Sequence, residues 1–530
     1  MKKILLLLAS CLILLACAGA SPTTTTGLTF IHVNDTYRVG AVEDGTAGGF
    51  GRVVTVVREA QAEGRDVRVL HGGDFLYPSL ESQIWNGLQM VDVMNFVDAV
   101  APLYLVAGNH EFDRSTPGPL EAAVRESNFS WLGDNYFFRT GDVVVDNAVH
   151  KAFTFDAADK TIGVFALTLS PADGGNLRDY VVNNGDYIGV AEAVIDVLEA
   201  EGVDMIIGLT HLHMWQDEKL AGLKARHPKL AFIVGGHEHE PQYSPATTGA
   251  AAVMKGASNA RIVWRVDVDF DAAGNFSINE TRLVLDESVA EDPEYQQVAN
   301  VWNQRLLEKF PFLEAEVGVA AVPMDAREEY VRSHESSWGD FITDQMLTAF
   351  RDPPADLAFI NSGTLRLDDV IEGDIRFEDI GRTFGFSSFL RYTTVTGEEF
   401  KNIMEAGYRG GPESQGYFPQ IAGFRVCVDR SRNEFDRIVS LQVPGADGWQ
   451  EIDPDTEYML VMPDFLYNGG DGYEIPKDRF ASRPGSELKY LVLNAILEAQ
   501  GKGEAIGVAV TPENRRYHAL REAKEPCFAQ

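Results

Sequence analysis

Five short aliphatic runs in the first half of the chain stop abruptly at clusters of Asp, Asn, His and Gly. They are LTFIHV before Asn34 and Asp35, VRVLHGG before Asp74, LYLVAG before Asn109 and His110, MIIGLT before His211, and AFIVGG before His237 and His239. Asp, Asn and His supply oxygen and nitrogen donors suited to divalent ions of intermediate hardness, and no cysteine stands among them. An aspartate that can bridge two ions, with donors left over for each, describes a two-metal hydrolytic site. A lone GD or TH is a turn or a helix cap. GNHEFD and GGHEHE together, in this order with the others, form a pattern that turn chemistry alone does not require.

Such residues need elements that bring them to one place. Each aliphatic run bounded by glycine reads as a buried strand, and helical periods lie between the runs. Val53, Val56, Val57 and Ala60 share one helix face, as do Ala191, Val194, Ile195 and Leu198. Strands alternating with helices predict a layered α/β fold, in which ligands gather beyond the carboxyl ends of the strands. Five polar clusters at five strand ends can then meet.

The order Asp-x-Tyr, Gly-Asp, Gly-Asn-His-Glu, Thr-His and Gly-His resembles that of the calcineurin-like metallophosphoesterases, whose first motif is Asp-x-His, and more closely that of the bacterial 5'-nucleotidase and UDP-sugar hydrolase family. The resemblance implies a metallophosphoesterase β-sandwich flanked by helices, joined by a helix to a second α/β domain that binds nucleotide. It implies two divalent ions bridged by Asp74, with Asn109, His211 and His237 completing one site and Asp35 and His239 belonging to the other. His110, oriented by Asp113, would stabilise charge on the transferring phosphoryl group while an activated water attacks phosphorus. The one departure is Tyr37, which stands where the family carries a histidine: either a phenolate ligand of the first ion or a neutral phenol behind the ligands. Tyr77, three residues after Asp74, competes for that role, at a spacing that resembles the one purple acid phosphatases use for a phenolate on ferric iron. Zinc, manganese and iron all remain open. Glu111 and Glu238 are expected to be structural. His213 is left outside the site, and His32, His71, His150, His227, His334 and His518 are read as ordinary histidines.

At 530 residues the chain is too long for one ordinary core. The expected division is a signal peptide and lipobox over 1–17, a tether over 18–26, the metallophosphoesterase domain over 27–285, a linker helix region over 286–325 and a substrate-binding domain over 326–530. MKKILLLLASCLILLAC has a basic start and an apolar run too short for a stable span, so it reads as an export signal. Its end resembles the bacterial lipobox, which implies Cys17 as a lipid anchor of a periplasmic or cell-surface lipoprotein. Beyond it stand Cys427 and Cys527. Paired, they would close a loop of roughly 100 residues worth about 4 to 5 kcal/mol, and two isolated buried thiols fit the sequence equally.

A formal charge of −34 argues against nucleic acid as a partner, since a phosphate backbone needs a basic footprint. A small phosphorylated substrate is compatible once bound cations reverse the field locally. The bulk of the charge reads as a solvated acidic surface. Oligomeric state leaves no trace in the sequence.

In the second half, DPEYQQVANVWNQRLLEKF predicts a helix from Asp292 to Phe310, with Tyr295, Val298, Val301, Trp302 and Leu306 on its packing stripe. RSHESSWGDFITDQM, AFINSGTLR, EGDIRFEDI, TTVTGEEF, GYFPQIAGFRV and YNGGDGYEIPKD then resemble, in order, the C-terminal domain of the 5'-nucleotidase family. By that resemblance Arg332, Asn361 and Arg366 contact base, ribose or phosphate, and Asp478 accepts a ribose hydroxyl. Phe418 and Tyr473 are two rings able to clamp a planar base. TFGFSSF departs from the family's Pro-Phe-Gly-Asn, placing Phe386 where asparagine is expected.

Overall fold

The structure is a computed structural model, and it describes residues 27–173, 177–411, 415–477, 485–520 and 526–528. The expected signal, tether and anchor at Cys17, and the expected ribose contact Asp478, lie outside the described residues. No helix among those described is long and apolar enough to cross a membrane.

The glycine-bounded aliphatic runs are strands. β1 (Leu28–Val33), β2 (Asp66–His71) and β3 (Leu103–Val106) pair in parallel, and Ile262–Phe270 runs antiparallel to β1 in a seven-stranded sheet. β4 (Met205–His211) and β5 (Leu230–Gly235) lie parallel at the centre of a six-stranded sheet, between Lys160–Thr168 and Ala252–Lys255. Alternation along the strands decides which core each side chain joins. Phe30, Leu70 and Tyr104 share the face of the first sheet turned to Ile207, Phe232 and Val234 of the second, with the Phe30 and Phe232 ring centroids 5.4 Å apart. Ile206 and Ile233 point the other way, onto Ala191, Ile195 and Leu198 of the helix Tyr187–Glu201. Strands covered on both faces carry continuous apolar runs, which is why these segments were conspicuous.

The two sheets are stitched near the site by His32. Its ring lies between the Leu70 carbonyl at 3.2 Å and the Gly235 carbonyl at 3.0 Å, one from each sheet. Burial lowers its pKa to about 4, so it remains neutral.

The expected linker helix spans Pro293–Lys309, and its N-cap Asp292 accepts from the backbone of Glu294 and Tyr295 at 3.0 and 2.9 Å. Tyr295, Trp302 and Leu306 are buried. Tyr295 packs on Phe96 and Trp302 on Trp85, so the helix is laid against the first domain. Val301 is a correction: it is 45% exposed, because one residue of α-helix turns it about 100° from Trp302.

The second domain holds two four-stranded sheets. One orders Leu390–Thr396, Glu457–Pro463, Leu357–Asn361 and Pro419–Ala422; the other orders Gly448–Glu451, Ile438–Gly445, Arg425–Val428 and Tyr517–Ala519. Cys427 and Cys527 are disulfide-bonded with Cα atoms 5.5 Å apart, which settles the choice between a staple and two thiols. The domains meet through polar contacts: Arg261 with Asp368 at 3.2 Å, Arg382 with Glu81 at 2.8 Å, and Asn259 donating to Asp368 at 2.9 Å.

Candidate metal centre

The five strand ends converge, and the backbone is bent to make them do so. Asp35, Asp74, His237 and His239 have φ of 52°, 62°, 93° and 64°, a left-handed region that residues with a Cβ avoid. Each such position costs on the order of 1 to 3 kcal/mol and persists only where the surroundings hold it. Two glycines permit the close approach. A Cβ at Gly108 would collide with the Asp74 carboxylate, and one at Gly236 would stand 2.9 Å from both Asp35 Oδ2 and His211 Nδ1.

Buried carboxylates hold the turns. Glu111 accepts backbone N–H groups from Asp74 at 2.9 Å, Phe75 at 2.7 Å, Leu76 at 3.1 Å and Gly108 at 2.6 Å, tying two ligand loops together. Glu238 receives the Met214 N–H at 2.7 Å and pairs with the buried ammonium of Lys255, which also meets Asp217 at 3.0 Å. Both glutamates have the structural part expected of them.

The donor atoms fall into two sets. In the first, the Tyr37 hydroxyl is 3.3 Å from Asp35 Oδ1, 3.4 Å from Asp74 Oδ2 and 2.9 Å from His239 Nε2, while His239 Nε2 is 3.4 Å from Asp35 Oδ1. In the second, His211 Nε2 is 3.3 Å from Asp74 Oδ2 and 3.1 Å from Asn109 Oδ1, and His237 Nδ1 is 3.2 Å from Asn109 Oδ1. Donors about 2.1 Å from one ion stand about 3.0 to 3.4 Å apart in octahedral or tetrahedral geometry. Both sets match that spacing, and Asp74 Oδ2 belongs to both. The residues therefore fit a pair of divalent ions.

Electrostatics agree. Burial lowers the proton affinity of His211, but the Asp74 and Asp35 carboxylates more than offset it and hold the pKa at about 9. Burial raises Asp74, yet His211 and His110 hold its carboxyl well below the usual range. This pocket gathers positive charge, and divalent ions compete for the same lone pairs. Burial, then Asp74 and Asp35, push the Tyr37 phenol well above its ordinary value.

His110 sits at the edge. Its backbone N–H donates to Asp74 Oδ1 at 2.8 Å, its Nδ1 lies 2.9 Å from Asp113 Oδ2, and its Nε2 faces Asp74 Oδ2 at 4.0 Å. Burial lowers its pKa, but Asp113 and Asp74 outweigh that and raise it above its usual value. Tyr77 is a correction to the competing expectation. Its hydroxyl donates to Asn86 at 3.4 Å under the Arg114 guanidinium, because the chain turns after Asp74 and carries the ring away from the donors. His213 packs edge-on against His237 with ring centroids 4.6 Å apart, and joins neither set.

Against known proteins, the calcineurin-like phosphoesterase family matches residues 28–241, and the 5'-nucleotidase C-terminal domain family matches residues 316–478. The chain joins a calcineurin-like phosphoesterase domain to a 5'-nucleotidase C-terminal domain. It is a hydrolase of phosphoester bonds. It is 26% identical to the Bacillus subtilis trifunctional nucleotide phosphoesterase protein YfkN over 527 residues, covering 92% of this chain and 34% of that protein. It is 24% identical to human 5'-nucleotidase over 500 residues, covering 85% and 84%. Among solved structures, the 5'-nucleotidase precursor of Thermus thermophilus shares the fold with a TM-score of 0.80 at 24% identity, covering 94% of this chain and 100% of that one.

In this 5'-nucleotidase-type chain the second domain reaches into the cleft. The Arg366 guanidinium lies between the Tyr37 ring at 5.4 Å and the Phe386 ring at 5.3 Å, and Phe386 is 5.7 Å from the His110 ring. Arg332 and Arg366 both bind Glu328 Oε1, at 3.2 and 3.3 Å. Asn361 donates to Asp471 at 2.8 Å and accepts from Thr364 at 2.6 Å. The expected base clamp is not open. Phe418 and Tyr473 are 3% and 0% exposed: Phe418 packs on Tyr408 and Tyr517, and Tyr473 packs on Phe359 while donating to the Tyr417 carbonyl at 2.6 Å. Neither offers a free face, because large rings beside tight turns gain more by joining the core. The half-buried ring beside them is Tyr417, with the Arg409 guanidinium 3.6 Å over it.

Sequence reasoning missed Glu328. It is 1% exposed, on a short helix Glu328–Val331, and its Oε2 lies 2.6 Å from His239 Nδ1. The available signal was its i,i+4 spacing to Arg332. Nothing local separates it from its exposed neighbour Glu329.

Proposed function

We propose that this 5'-nucleotidase-type hydrolase is exported as a lipid-anchored protein and removes phosphate from nucleotides for salvage. The observation that carries the reading is the sharing of Asp74 Oδ2 between two donor sets, with His110 Nε2 beside them. Two divalent ions, zinc, manganese or iron, would supply an acidified water and positive charge for the phosphoryl oxygens. Asp35, Tyr37, Asp74 and His239 would hold one, and Asp74, Asn109, His211 and His237 the other. His110, its Nδ1 held by Asp113, would face the phosphoryl oxygens with its Nε2–H. Arg366 would meet the substrate's negative charge from the opposite domain. As a phenolate, Tyr37 would make that site harder than an all-histidine one, favouring manganese or iron over zinc; as a neutral phenol it would stand behind the ligands.

The test is phosphate release by the mature protein, with each divalent ion in turn, from nucleoside monophosphates, diphosphates, cyclic nucleotides and UDP-glucose. No release from any of them, or release unchanged in His110→Ala, overturns the proposal. Tight nucleotide binding without turnover would make the chain a binding lipoprotein instead. A second reading, hydrolysis of a phosphodiester or a nucleoside diphosphate sugar, draws on Phe386, which sets apolar surface against His110 where the family pattern expects an amide. Preference for UDP-glucose or cyclic nucleotides over monophosphates would select it.

A further inference from the structure

His239 uses its two ring nitrogens in two domains. Nε2 faces the first donor set, 3.4 Å from Asp35 Oδ1 and 2.9 Å from the Tyr37 hydroxyl. Nδ1 lies 2.6 Å from Glu328 Oε2, a carboxylate that belongs to the second domain. Ser258 of the first domain donates to the same oxygen at 3.1 Å. The other oxygen of Glu328 is held by Arg332 and Arg366 at 3.2 and 3.3 Å. The backbone N–H of Glu328 in turn donates to Asp368 at 3.1 Å, and Asp368 is gripped across the interface by Arg261 and Asn259.

A histidine that binds an ion through one nitrogen needs its other N–H held, both to fix the tautomer and to aim the ring. Here the group that does so is buried, fully occupied and carried by another domain. We propose that Glu328 is a positioning residue for the ion in the first donor set, so that retention of that ion depends on the seating of the second domain. The inference rests on the two-ion reading above. It adds that the two ions are held by different means. The Asn109, His211 and His237 set lies wholly within the first domain, with His211 Nδ1 held by the Gly72 carbonyl at 2.6 Å. The set with His239 is completed only across the interface. Because Glu328 also neutralises Arg332 and Arg366, an anion that draws those arginines away loosens the hold on His239. Substrate phosphate and the first ion are thereby linked through one carboxylate.

The experiment is calorimetric titration of the apo, full-length protein with manganese, for wild type, Glu328→Gln, Glu328→Ala, His239→Ala and the Glu328→Gln/His239→Ala double variant. Circular dichroism checks that each is folded. Glu328→Gln keeps the volume and can still accept the ring N–H, so it remains informative if the alanine variant is unstable. The expected result is two ions on wild type, and one of them weakened about 10- to 100-fold in Glu328→Ala and less in Glu328→Gln. The other ion should be unchanged, and Glu328→Gln should have no further effect once His239 is alanine. At saturating manganese, the turnover lost in Glu328→Gln should return, which a purely structural defect would not allow. Equal affinities in wild type and Glu328 variants, or both ions weakened alike, overturn the inference while leaving the two-ion reading intact. A single ion on wild type overturns both.

Discussion

In the first domain, donor atoms from five strand ends already stand 2.9 to 3.4 Å apart, held by backbone turns that residues with side chains seldom adopt. In the second domain, the two rings expected to grip a base are packed away at 3% and 0% exposure. One region is built for its ligand in advance; the other has used the same kind of residue to complete a core. The difference follows from what each chemistry requires. Ion ligation needs atoms fixed to a few tenths of an ångström, so the strain of four left-handed turns is worth holding permanently. A stacking contact is sequence-tolerant and can be assembled when the ligand arrives.

The largest effect that tests this contrast is at Asp74. On the proposed two-ion reading, Asp74→Ala should lower kcat/KM by about three orders of magnitude or more, since one oxygen would serve both ions and a metal site is worth several kcal/mol of barrier. Manganese titration should show both ions weakened, and activity within tenfold of wild type would break the picture of a shared oxygen. Next is Phe418→Ala, which should destabilise the protein by about 3 to 5 kcal/mol, seen in chemical denaturation, with KM little changed in the folded fraction. A raised KM with unaltered stability would instead show that the ring turns out to meet substrate.

Charge gives a smaller effect. In the second domain Glu335 and Asp340 lie together beside Arg516; burial first, then Glu335, raises the Asp340 carboxyl to about 8. A folded-state value above the unfolded one means that the folded protein keeps a proton the unfolded chain loses. Stability from this group is therefore greatest at low pH and is lost as pH rises from about 4 to 8. Asp340→Asn should flatten that decline and raise stability at pH 8 by on the order of 1 kcal/mol; a decrease at pH 8 would show that the ionised carboxylate is needed by Arg516. Smallest is Tyr473→Phe, which removes the hydrogen bond to the Tyr417 carbonyl and should cost about 0.5 to 1.5 kcal/mol without touching ion binding.

The legible part of the molecule is the part where backbone and side chain serve one purpose. Strand runs buried on both faces announce themselves, and each ends at a polar cluster, so the convergence of Asp35, Asp74, Asn109, His211, His237 and His239 at the strand ends could be read off with their elements. Tyr37 could be placed near Asp35 and His239 by its position, though its hydroxyl distances could not. What escaped was tertiary. Glu328 lies 89 residues from His239, and the spacing of Tyr77 from Asp74 did not tell a ligand from the bystander it is. Phe418 and Tyr473 carried the right chemistry for stacking, but a ring's type does not say which side of a sheet it ends on.

The bond between Cys427 and Cys527 makes the chain a lasso, with a long tail followed by a closed ring. Inside the ring lie the strand Glu457–Pro463, the glycine turn that carries Tyr473 and the helix Leu488–Lys502. A protease that cuts once within it opens the ring without releasing a fragment, and both flanks stay tethered beside the sheet they left. Such a cut would go unseen on a gel run without reductant and would split the chain in two once a thiol is added. An enzyme built this way can be nicked and still keep its parts together.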